Sequence, residues 1–257
     1  MTARRTLEVC VDSTASALAA KAGGADRLEL CADLAIGGTT PSAALVRQVK
    51  AETGLPVRAL LRPRAGDFCY DRWELVQMEA LAAELTAAGA DAIVTGVLTP
   101  DGALDTGAMA RICDAVRAAA QTAGRPAVVT LHRAFDVCRD PFACLEEACA
   151  LGLATILTSG QAADAWAGRA LLAQLQRRAA GRVEILAGAG VNAGNIPALV
   201  RETGVAACHL SGKRAVPSRM VFRREGVPMG VPGFDEFTLW QTDPDAVRAA
   251  RAALDSL

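Results

Sequence analysis

The sequence predicts a single α/β domain of the (β/α)8 type, a TIM-type barrel with parallel strands. Three observations lead to this prediction. Short apolar strands alternate with helical segments eight times along 257 residues, and such alternation is typical of a parallel sheet that closes as a barrel. The composition is 52% hydrophobic, enough to bury a full core. No Gly-x-Gly-x-x-Gly follows the first strand, so a doubly wound open sheet is the less favoured alternative.

Strands and helices follow one another with regular turn signals between them. The predicted strands occupy residues 7–12, 27–31, 57–62, 92–95, 127–132, 155–158, 183–187 and 206–211. Serine, or threonine or aspartate followed by proline, opens several helices, and glycine closes most of them. These signals predict helices over residues 13–23, 40–54, 72–88, 106–123, 140–151, 164–179 and 193–203, and a last helix that opens at 242–244.

One connection is much longer than the others. Residues 212–242 separate the last strand from the last helix, so the predicted barrel has a long loop before that helix. Loops of this length usually serve as lids or partner surfaces. No linker or change in composition divides the chain, and we expect residues 1–257 to form one domain.

Charge and composition narrow the classes of partner. The net charge is −1 and the chain has no basic stripe, which argues against nucleic acid and against an anionic membrane surface. No apolar run approaches the roughly 18 residues of a membrane span. A strand pattern begins almost at once, so we expect no signal peptide and a cytoplasmic location. The eight cysteines form no Cys-x-x-Cys pair and no zinc-finger spacing.

A repeated motif carries the main functional signal. Leu-Glu-Val-Cys-Val-Asp near the N-terminus is followed 21 residues later by Leu-Glu-Leu-Cys-Ala-Asp. Apolar and polar positions alternate with the period of a strand, so Glu8, Cys10, Glu29 and Cys31 point away from the apolar face. In a barrel the apolar face packs against the helices. The two carboxylates and the two thiols are therefore expected inside the lumen.

The same alternation assigns inward side chains on three further strands. They are Arg58, Leu60 and Arg62 on the third strand, Thr130 and His132 on the fifth, and His209 and Ser211 on the eighth. Branched apolar residues normally fill such a lumen, and buried charges cost several kcal/mol each. A charged lumen therefore indicates a functional site. The alternative is an internal Glu–Arg network that only holds the barrel in register.

Two loops at the C-terminal ends of strands add ionisable groups, at the end of the barrel where enzymes of this fold keep their sites. The loop after the third strand contains Arg64 and Asp67, and arginine offers forked donors suited to carboxylate or phosphate. After the fifth strand, Arg133 and Asp136 follow His132. The alternative interpretation of this last pair is a surface ion pair.

Glycine-rich turns follow the last two strands. Gly188 and Gly190 lie between the seventh strand and a helix, and Ser211 ends the eighth strand. Glycines let the backbone approach a ligand, and helix N-termini attract anions. Phosphate sites in this fold commonly lie at these two loops. The three residues are therefore candidate contacts to an anion, although such turns are also common without one.

Several motifs in order resemble those of the copper homeostasis protein CutC family. They are Glu-Val-Cys-Val-Asp-Ser at 8–13, Asp-Arg-Leu-Glu-Leu-Cys at 26–31, Gly-Gly-Thr-Thr-Pro-Ser at 37–42, Arg-Pro-Arg at 62–64, Leu-Thr-Pro-Asp-Gly at 98–102, His-Arg-Ala-Phe-Asp at 132–136 and Leu-Thr-Ser-Gly at 157–160. The resemblance covers nearly the whole chain. It implies a cytoplasmic TIM-type barrel, a homo-oligomer with a dimer favoured, and a role in copper handling. It also implies that Cys10 and Cys31 match the family's proposed copper ligands.

Two functions stay open at this point, and with them whether the chain is an enzyme. In the first, the chain binds copper. Cu+ is soft and prefers thiolates, so Cys10 and Cys31 on adjacent strands suit a low-coordinate site. No organic cofactor is predicted.

In the second, the chain is an enzyme that acts on a small anionic or polyhydroxylated substrate. Glu8, Glu29, Asp67 and His132 are the candidates for acid–base catalysis, because apposed glutamates push their pKa values apart. The candidate substrate contacts are Arg62, Arg64, Arg133, Asp136, Gly188, Gly190 and Ser211. The predicted partner is thus a copper ion or a small anionic ligand.

Overall fold

The computed structural model describes residues 4–224, 226–227 and 235–257. Eight parallel strands form a closed barrel, in which each strand pairs with the next and the eighth pairs with the first. The predicted fold class is confirmed. The barrel strands are β1 (Thr6–Val11), β2 (Arg27–Leu30), β3 (Val57–Leu60), β4 (Ala92–Thr95), β5 (Val129–Leu131), β6 (Thr155–Thr158), β7 (Glu184–Ala187) and β8 (Ala207–Leu210).

A helix follows each strand. The helices are α1 (Thr14–Ala22), α2 (Ala43–Thr53), α3 (Arg72–Ala87), α4 (Thr106–Thr122), α5 (Pro141–Ala150), α6 (Arg169–Ala179), α7 (Ile196–Thr203) and α8 (Pro244–Asp255). Polar caps begin several of them. The Ser13 hydroxyl accepts the Ser16 N–H at the start of α1, and Asp71 forms a capping box with Glu74 at the start of α3. Proline occupies the first turn of α5 and α8, as the sequence predicts.

Three helices begin later than the sequence predicts, because side chains hold the preceding residues in turns. Ser42 caps α2, so the helix does not open at Thr40. The Asp164 carboxylate accepts an N–H from three residues ahead and holds a separate turn before α6. The Asn192 amide oxygen accepts an N–H from two residues ahead and does the same before α7.

The long connection before α8 contains secondary structure that the sequence does not predict. Lys213–Pro217 (β9) and Thr238–Thr242 (β10) pair as an antiparallel ribbon outside the barrel. The backbone N–H of Thr242 donates to the Ser16 hydroxyl at 3.2 Å, which attaches the ribbon to α1. Most of β9 is exposed, so it carries none of the apolar alternation that marks a half-buried strand.

The apolar strand faces pack outward against the helices, and the polar faces point into the lumen. Leu7 and Val9 of β1 are fully buried and belong to the large apolar core. Cys31, Leu60 and Val94 form a separate small apolar cluster. This division follows from the period-two alternation of side chains along a strand. None of the described helices is long and apolar enough to cross a lipid bilayer.

Candidate functional site

Charged side chains near the starts of four barrel strands form a connected group; we call Glu8, Arg27, Arg58 and Glu184 the charged network. Arg27 Nε lies 2.5 Å from Glu8 Oε2, and Arg27 Nη2 lies 2.6 Å from Glu184 Oε2. Arg58 Nε lies 3.5 Å from the same Glu8 oxygen, and Arg58 Nη1 donates to threonine hydroxyls of β5 and β6 at 2.9 Å. The internal Glu–Arg network considered from the sequence is therefore present at this end of the lumen.

Glu8 connects the charged network to the other end of the lumen. Its Oε1 lies 2.9 Å from Nδ1 of His209. Burial by itself raises the pKa of Glu8, but the hydrogen bond with His209 and the charges of Arg27 and Arg58 outweigh burial and lower this pKa to about 2. Glu8 is therefore an anion with both oxygens engaged, and it orients His209.

His209 lies between two carboxylates. Its Nδ1 faces Glu8, and its Nε2 lies 3.8 Å from Glu29 Oε2. Burial disfavours a charged imidazole, yet the charge of Glu29, the neighbouring Cys10 and the hydrogen bond to Glu8 raise the pKa of His209 well above 6.5. The ring is therefore protonated at neutral pH.

Cys10, Glu29 and His209 bring one potential ligand atom each to the same place; we call them the three-donor group. The three atoms lie within 4.8 Å of one another. Strand register brings them together, because Cys10 lies opposite Glu29 on β2 and Glu8 lies opposite His209 on β8. A sulfur, a carboxylate oxygen and an imidazole nitrogen at this spacing can hold one metal ion.

Cys31 lies beside the three-donor group. Its Sγ donates to Glu29 Oε2 at 3.6 Å. Burial and the charge of Glu29 raise the pKa of Cys31 well above 9.0, and burial also raises the pKa of Glu29 above 4.5. Of the two predicted copper ligands, Cys10 thus belongs to the group and Cys31 contacts it through one carboxylate.

A cavity of about 160 Å³ lies at the C-terminal end of the lumen; we call it the lumen cavity. Its polar lining consists of the three-donor group with Arg62, His132 and Arg133, and its apolar lining includes Leu34, Leu60, Phe68 and Leu157. TIM-type barrels keep their sites at this end. A larger groove of about 840 Å³ runs beside the ribbon past Asp12 and Trp240, but none of the three donors lines it.

His132 presents a neutral imidazole to the lumen cavity. Its Nδ1 accepts the Ala134 N–H at 3.2 Å. Burial, reinforced by the charge of Arg62, lowers the pKa of His132 to about 3, so the ring is uncharged at neutral pH. The imidazole packs on Phe68 with the ring centroids 4.7 Å apart.

Arg62 ties two loops together at the wall of the lumen cavity. Nη1 donates to the Gly38 carbonyl at 3.1 Å, and Nη2 donates to the Gly66 carbonyl at 2.8 Å. The guanidinium lies 5.1 Å from the centroid of the Phe68 ring. Arg62 and His132 therefore contact the same aromatic ring from two different strand ends.

Arg133 and Asp136 form an ion pair at the rim, with 2.7 Å between Nε and Oδ2. Arg133 is half exposed and lines the lumen cavity. The Asp136 side chain is buried, and it accepts hydrogen bonds from the Thr158 hydroxyl and from the backbone N–H groups of Ser159 and Gln161. Asp136 therefore anchors its loop and orients Arg133.

Arg64 and Asp67 lie in the exposed loop after β3 and do not line the lumen cavity. Arg64 Nε lies 2.6 Å from Glu74, and Arg64 Nη2 lies 3.1 Å from Asp67. Asp67 is 74% exposed, and its hydrogen bond to Arg64 lowers its pKa. The pair shapes the loop that carries Phe68, and the structure does not bring it to the other candidates.

Gly188, Gly190 and Ser211 also lie outside the lining of the lumen cavity. A Cβ on Gly188 would stand 2.6 Å from a Leu157 methyl carbon and 3.5 Å from the Cβ of His209. Gly188 therefore permits close packing of β7 against the residues that support the site.

Two residues of the site are absent from the sequence-based candidates. Strand alternation places His209 in the lumen, but its register with Glu8, which makes it a site residue, is seen only in the structure. Phe68 sits in a loop, where no periodic pattern identifies a residue that packs on both His132 and Arg62.

A closed parallel barrel with a cavity at the C-terminal strand ends defines a TIM-type barrel protein whose candidate site has the position usual for this fold. The sequence matches the model of the CutC family over residues 5–214. The chain belongs to the CutC family, which confirms the resemblance drawn from its motifs.

Relatives named family protein CutC align over nearly the whole chain. The Chromobacterium violaceum protein is 43% identical over 249 residues, which cover 97% of this chain and 98% of the relative. The Vibrio vulnificus protein is 42% identical over 253 residues, which cover 98% of each chain.

Solved structures extend the comparison. The crystal structure of a Streptococcus agalactiae CutC protein, whose name links it to copper homeostasis, matches with a TM-score of 0.73 at 31% identity and covers 80% of this chain and 98% of that one. A 2,3-dimethylmalate lyase matches with a TM-score of 0.57 at 18% identity, over 80% of this chain and 75% of the lyase. The lyase therefore shows a shared fold alone.

Proposed function

We propose that this chain acts in copper homeostasis by binding one Cu+ ion at the C-terminal end of the barrel lumen. Cys10 and His209 supply sulfur and nitrogen ligands, Glu29 completes the group, and Cys31 is the further thiol ligand predicted from the sequence. The proposal includes a cytoplasmic location and a homo-oligomer, most simply a dimer. The observation that supports Cu+ binding is that the three donor atoms lie within 4.8 Å of one another.

The donor chemistry suits copper. Sulfur is the soft donor that Cu+ prefers, and imidazole is also a common copper ligand. Glu8 engages Nδ1 of His209, which leaves Nε2 as the ligand atom, and a carboxylate behind a ligating imidazole is the usual supporting arrangement. Because Nε2 must lose its proton to bind a metal, copper binding releases a proton.

A competition titration with Cu+ under strict reduction tests the proposal. The double variant Cys10→Ser with Cys31→Ser removes both soft donors of the site, and we expect it to lose high-affinity binding. Glu8→Gln is expected to lower the affinity by about 10- to 100-fold, because a neutral amide oxygen holds the Nδ1–H of His209 less strongly than a carboxylate does. Cys69→Ser is the matched control, since it changes an exposed thiol.

Wild-type Cu+ affinity in the double variant contradicts the proposal. Loss of affinity in Cys10→Ser with full affinity in Cys31→Ser restricts the ligands to the three-donor group. An equal loss in Cys69→Ser shows that the titration reports on thiols in general and also counts against a lumen site.

A second candidate is acid–base catalysis on a small anionic substrate, and the arrangement of Glu8, His209 and Glu29 supports it. His209 is protonated and held by Glu8, so it can act as a general acid. Glu29, whose pKa burial raises, lies 3.8 Å away and can act as a base. Both line the lumen cavity, where Arg62 and Arg133 are the substrate contacts of this candidate.

Solvent-deuterium exchange into pyruvate, followed by proton NMR, tests this candidate for proton abstraction beside a carbonyl. Exchange that disappears in Glu29→Gln and persists in Cys69→Ser supports it. Exchange no faster than in buffer alone contradicts it for this class of substrate.

A further inference from the structure

Arg62 carries a buried positive charge that lacks a negative partner among the residues the structure describes. Only 9% of the residue is exposed. Its two terminal nitrogens donate to the neutral carbonyl groups of Gly38 and Gly66, and its buried Nε has no hydrogen-bond partner in residues 4–224, 226–227 and 235–257. A buried charge of this kind is costly unless an opposite charge and further hydrogen bonds compensate it.

His132 adds a second unpartnered donor to the same wall. The Ala134 N–H occupies Nδ1, so the proton of the neutral ring sits on Nε2. Nε2 is buried and has no partner within the described part of the chain. Because the ring is neutral and its tautomer is set by a backbone N–H, Nε2 is a fixed hydrogen-bond donor.

The two side chains border one cavity. Arg62 and His132 both line the lumen cavity, and both contact the ring of Phe68. The other arginines of the lumen differ, because Arg27 and Arg58 pair with Glu8. The unpaired donor atoms therefore belong to residues of the cavity wall, where they are covered by the surrounding side chains.

We propose that the lumen cavity binds a small monocarboxylate whose oxygens accept hydrogen bonds from Nε of Arg62 and Nε2 of His132. One carboxylate supplies the single negative charge that Arg62 lacks, and it accepts both hydrogen bonds. A hydrogen bond from a charged donor to a carboxylate is stronger than one to a neutral carbonyl.

Size and polarity narrow the ligand further. The 160 Å³ of the lumen cavity corresponds to the volume of about five water molecules, which suits a short carbon chain. Leu34, Leu60 and Leu157 form apolar walls that suit its hydrocarbon part. A phosphate group, with more charge and no apolar part, fits this lining less well.

This inference goes beyond copper binding and stands on different residues. Arg62 and His132, which donate to the carboxylate, follow the ends of β3 and β5, whereas the three-donor group lies at β1, β2 and β8. A carboxylate bound by Arg62 and His132 lies in the same cavity as Glu29 and His209. If the catalytic candidate is correct, a small monocarboxylate is therefore its substrate class.

Histidine-specific NMR provides a direct test, because the chain has two histidines. We would label the full-length protein with 15N-histidine, assign the two rings with His132→Gln and His209→Gln, and titrate with sodium butyrate. The unliganded His132 ring should show the neutral Nε2–H form. We expect butyrate to shift the His132 Nε2 signals in a saturable way, and neutral butyramide to bind at least about tenfold more weakly.

Variants separate the site from non-specific binding, with affinities measured by calorimetry. Arg62→Met is expected to weaken butyrate by about tenfold to a hundredfold, whereas Arg117→Met, which changes an exposed arginine of α4, should leave the affinity unchanged. If Arg62→Met does not fold, His132→Phe replaces it, since it removes the Nε2 donor and keeps a ring against Phe68.

Several outcomes overturn the inference. They are the absence of a saturable shift at His132, equal affinities for butyrate and butyramide, tighter binding of inorganic phosphate than of butyrate, and wild-type butyrate affinity in the folded Arg62 or His132 variant. Failure of the copper proposal is distinguishable, because the copper titration depends on the Cys10 and Cys31 variants, whereas the butyrate titration is followed at His132.

Discussion

The two halves of the barrel lumen contain similar residues but treat their charges differently. In the charged network, Arg27 bonds to both Glu8 and Glu184, and Arg58 bonds to Glu8 and two threonines. In the lumen cavity, Arg62 donates to carbonyl groups, and its Nε has no partner in the part of the chain that the structure describes. Glu8 and Arg62 are both buried, with 1% and 9% of the residue exposed, so burial alone does not distinguish the two halves.

This difference separates a structural charged network from a candidate ligand site. Buried ionic groups that satisfy one another have no free donor or acceptor for a ligand. Nε of Arg62 and Nε2 of His132 have no hydrogen-bond partner among the described residues, so they can gain hydrogen bonds from a ligand. The charged network therefore supports the barrel and orients His209, whereas we propose the lumen cavity as the binding site.

The largest expected effect separates a paired arginine from an unpaired one. Arg27→Met leaves Glu8 and Glu184 without their shortest ion pairs, so we expect it to lower the free energy of unfolding by about 3–5 kcal/mol. Arg62→Met removes two hydrogen bonds but also removes an uncompensated buried charge, so its cost should stay below about 2 kcal/mol. Urea denaturation of the two variants checks the comparison, and equal losses would contradict it.

A smaller effect concerns the pH dependence of stability. The pKa of His132 is about 3 in the native state and near 6.5 when the ring is free, so between these values the unfolded chain binds a proton that the native chain does not. Stability therefore falls as the pH falls through this window, by up to about 1.4 kcal/mol per pH unit from this one group.

His132→Gln removes this contribution. Urea denaturation of wild type and variant from about pH 7 to about pH 4, in buffers without carboxylates, should show the wild type losing more stability than the variant as the pH falls. Parallel curves for the two proteins would mean that the native ring titrates like a free histidine.

The smallest expected effect lies outside both halves of the lumen. Asp67 is exposed and pairs with Arg64, so Asp67→Asn should change the free energy of unfolding by no more than about 0.5 kcal/mol. Butyrate and Cu+ affinities should match the wild type. A large loss of either affinity would place Asp67 in the site after all, through a movement of its loop.

Part of this arrangement can be read from strand period alone. Alternation in the repeated Leu-Glu-x-Cys-x-Asp motif predicts that Glu8, Cys10, Glu29 and Cys31 face the lumen, and all four are buried there. Alternation also predicts an inward His209. Alternation does not predict which inward side chains form ion pairs or hydrogen bonds with one another. Such contacts depend on the register between strands that are distant in sequence, such as β1 and β8.

The contacts of loop residues also cannot be predicted from strand alternation. Arg62 and Arg64 are two residues apart with the same chemistry, yet Arg62 lines the lumen cavity while Arg64 holds an exposed loop through Glu74. The ribbon of β9 and β10 was also not predicted, because the mostly exposed β9 lacks the alternation of apolar and polar residues that marks a half-buried strand. Local pattern carries no information where a side chain is positioned by contacts far along the chain.

Period-two alternation, helix signals and motif order are enough to predict the barrel, the inward side of each site-bearing strand and the family. Contacts between distant strands set which charges neutralise one another. They join Glu8 to Arg27 and His209, and within the described residues they leave Nε of Arg62 and Nε2 of His132 without a partner. The physical reason is that hydrogen-bond satisfaction depends on distances of a few ångströms between separate strands, which no linear pattern encodes.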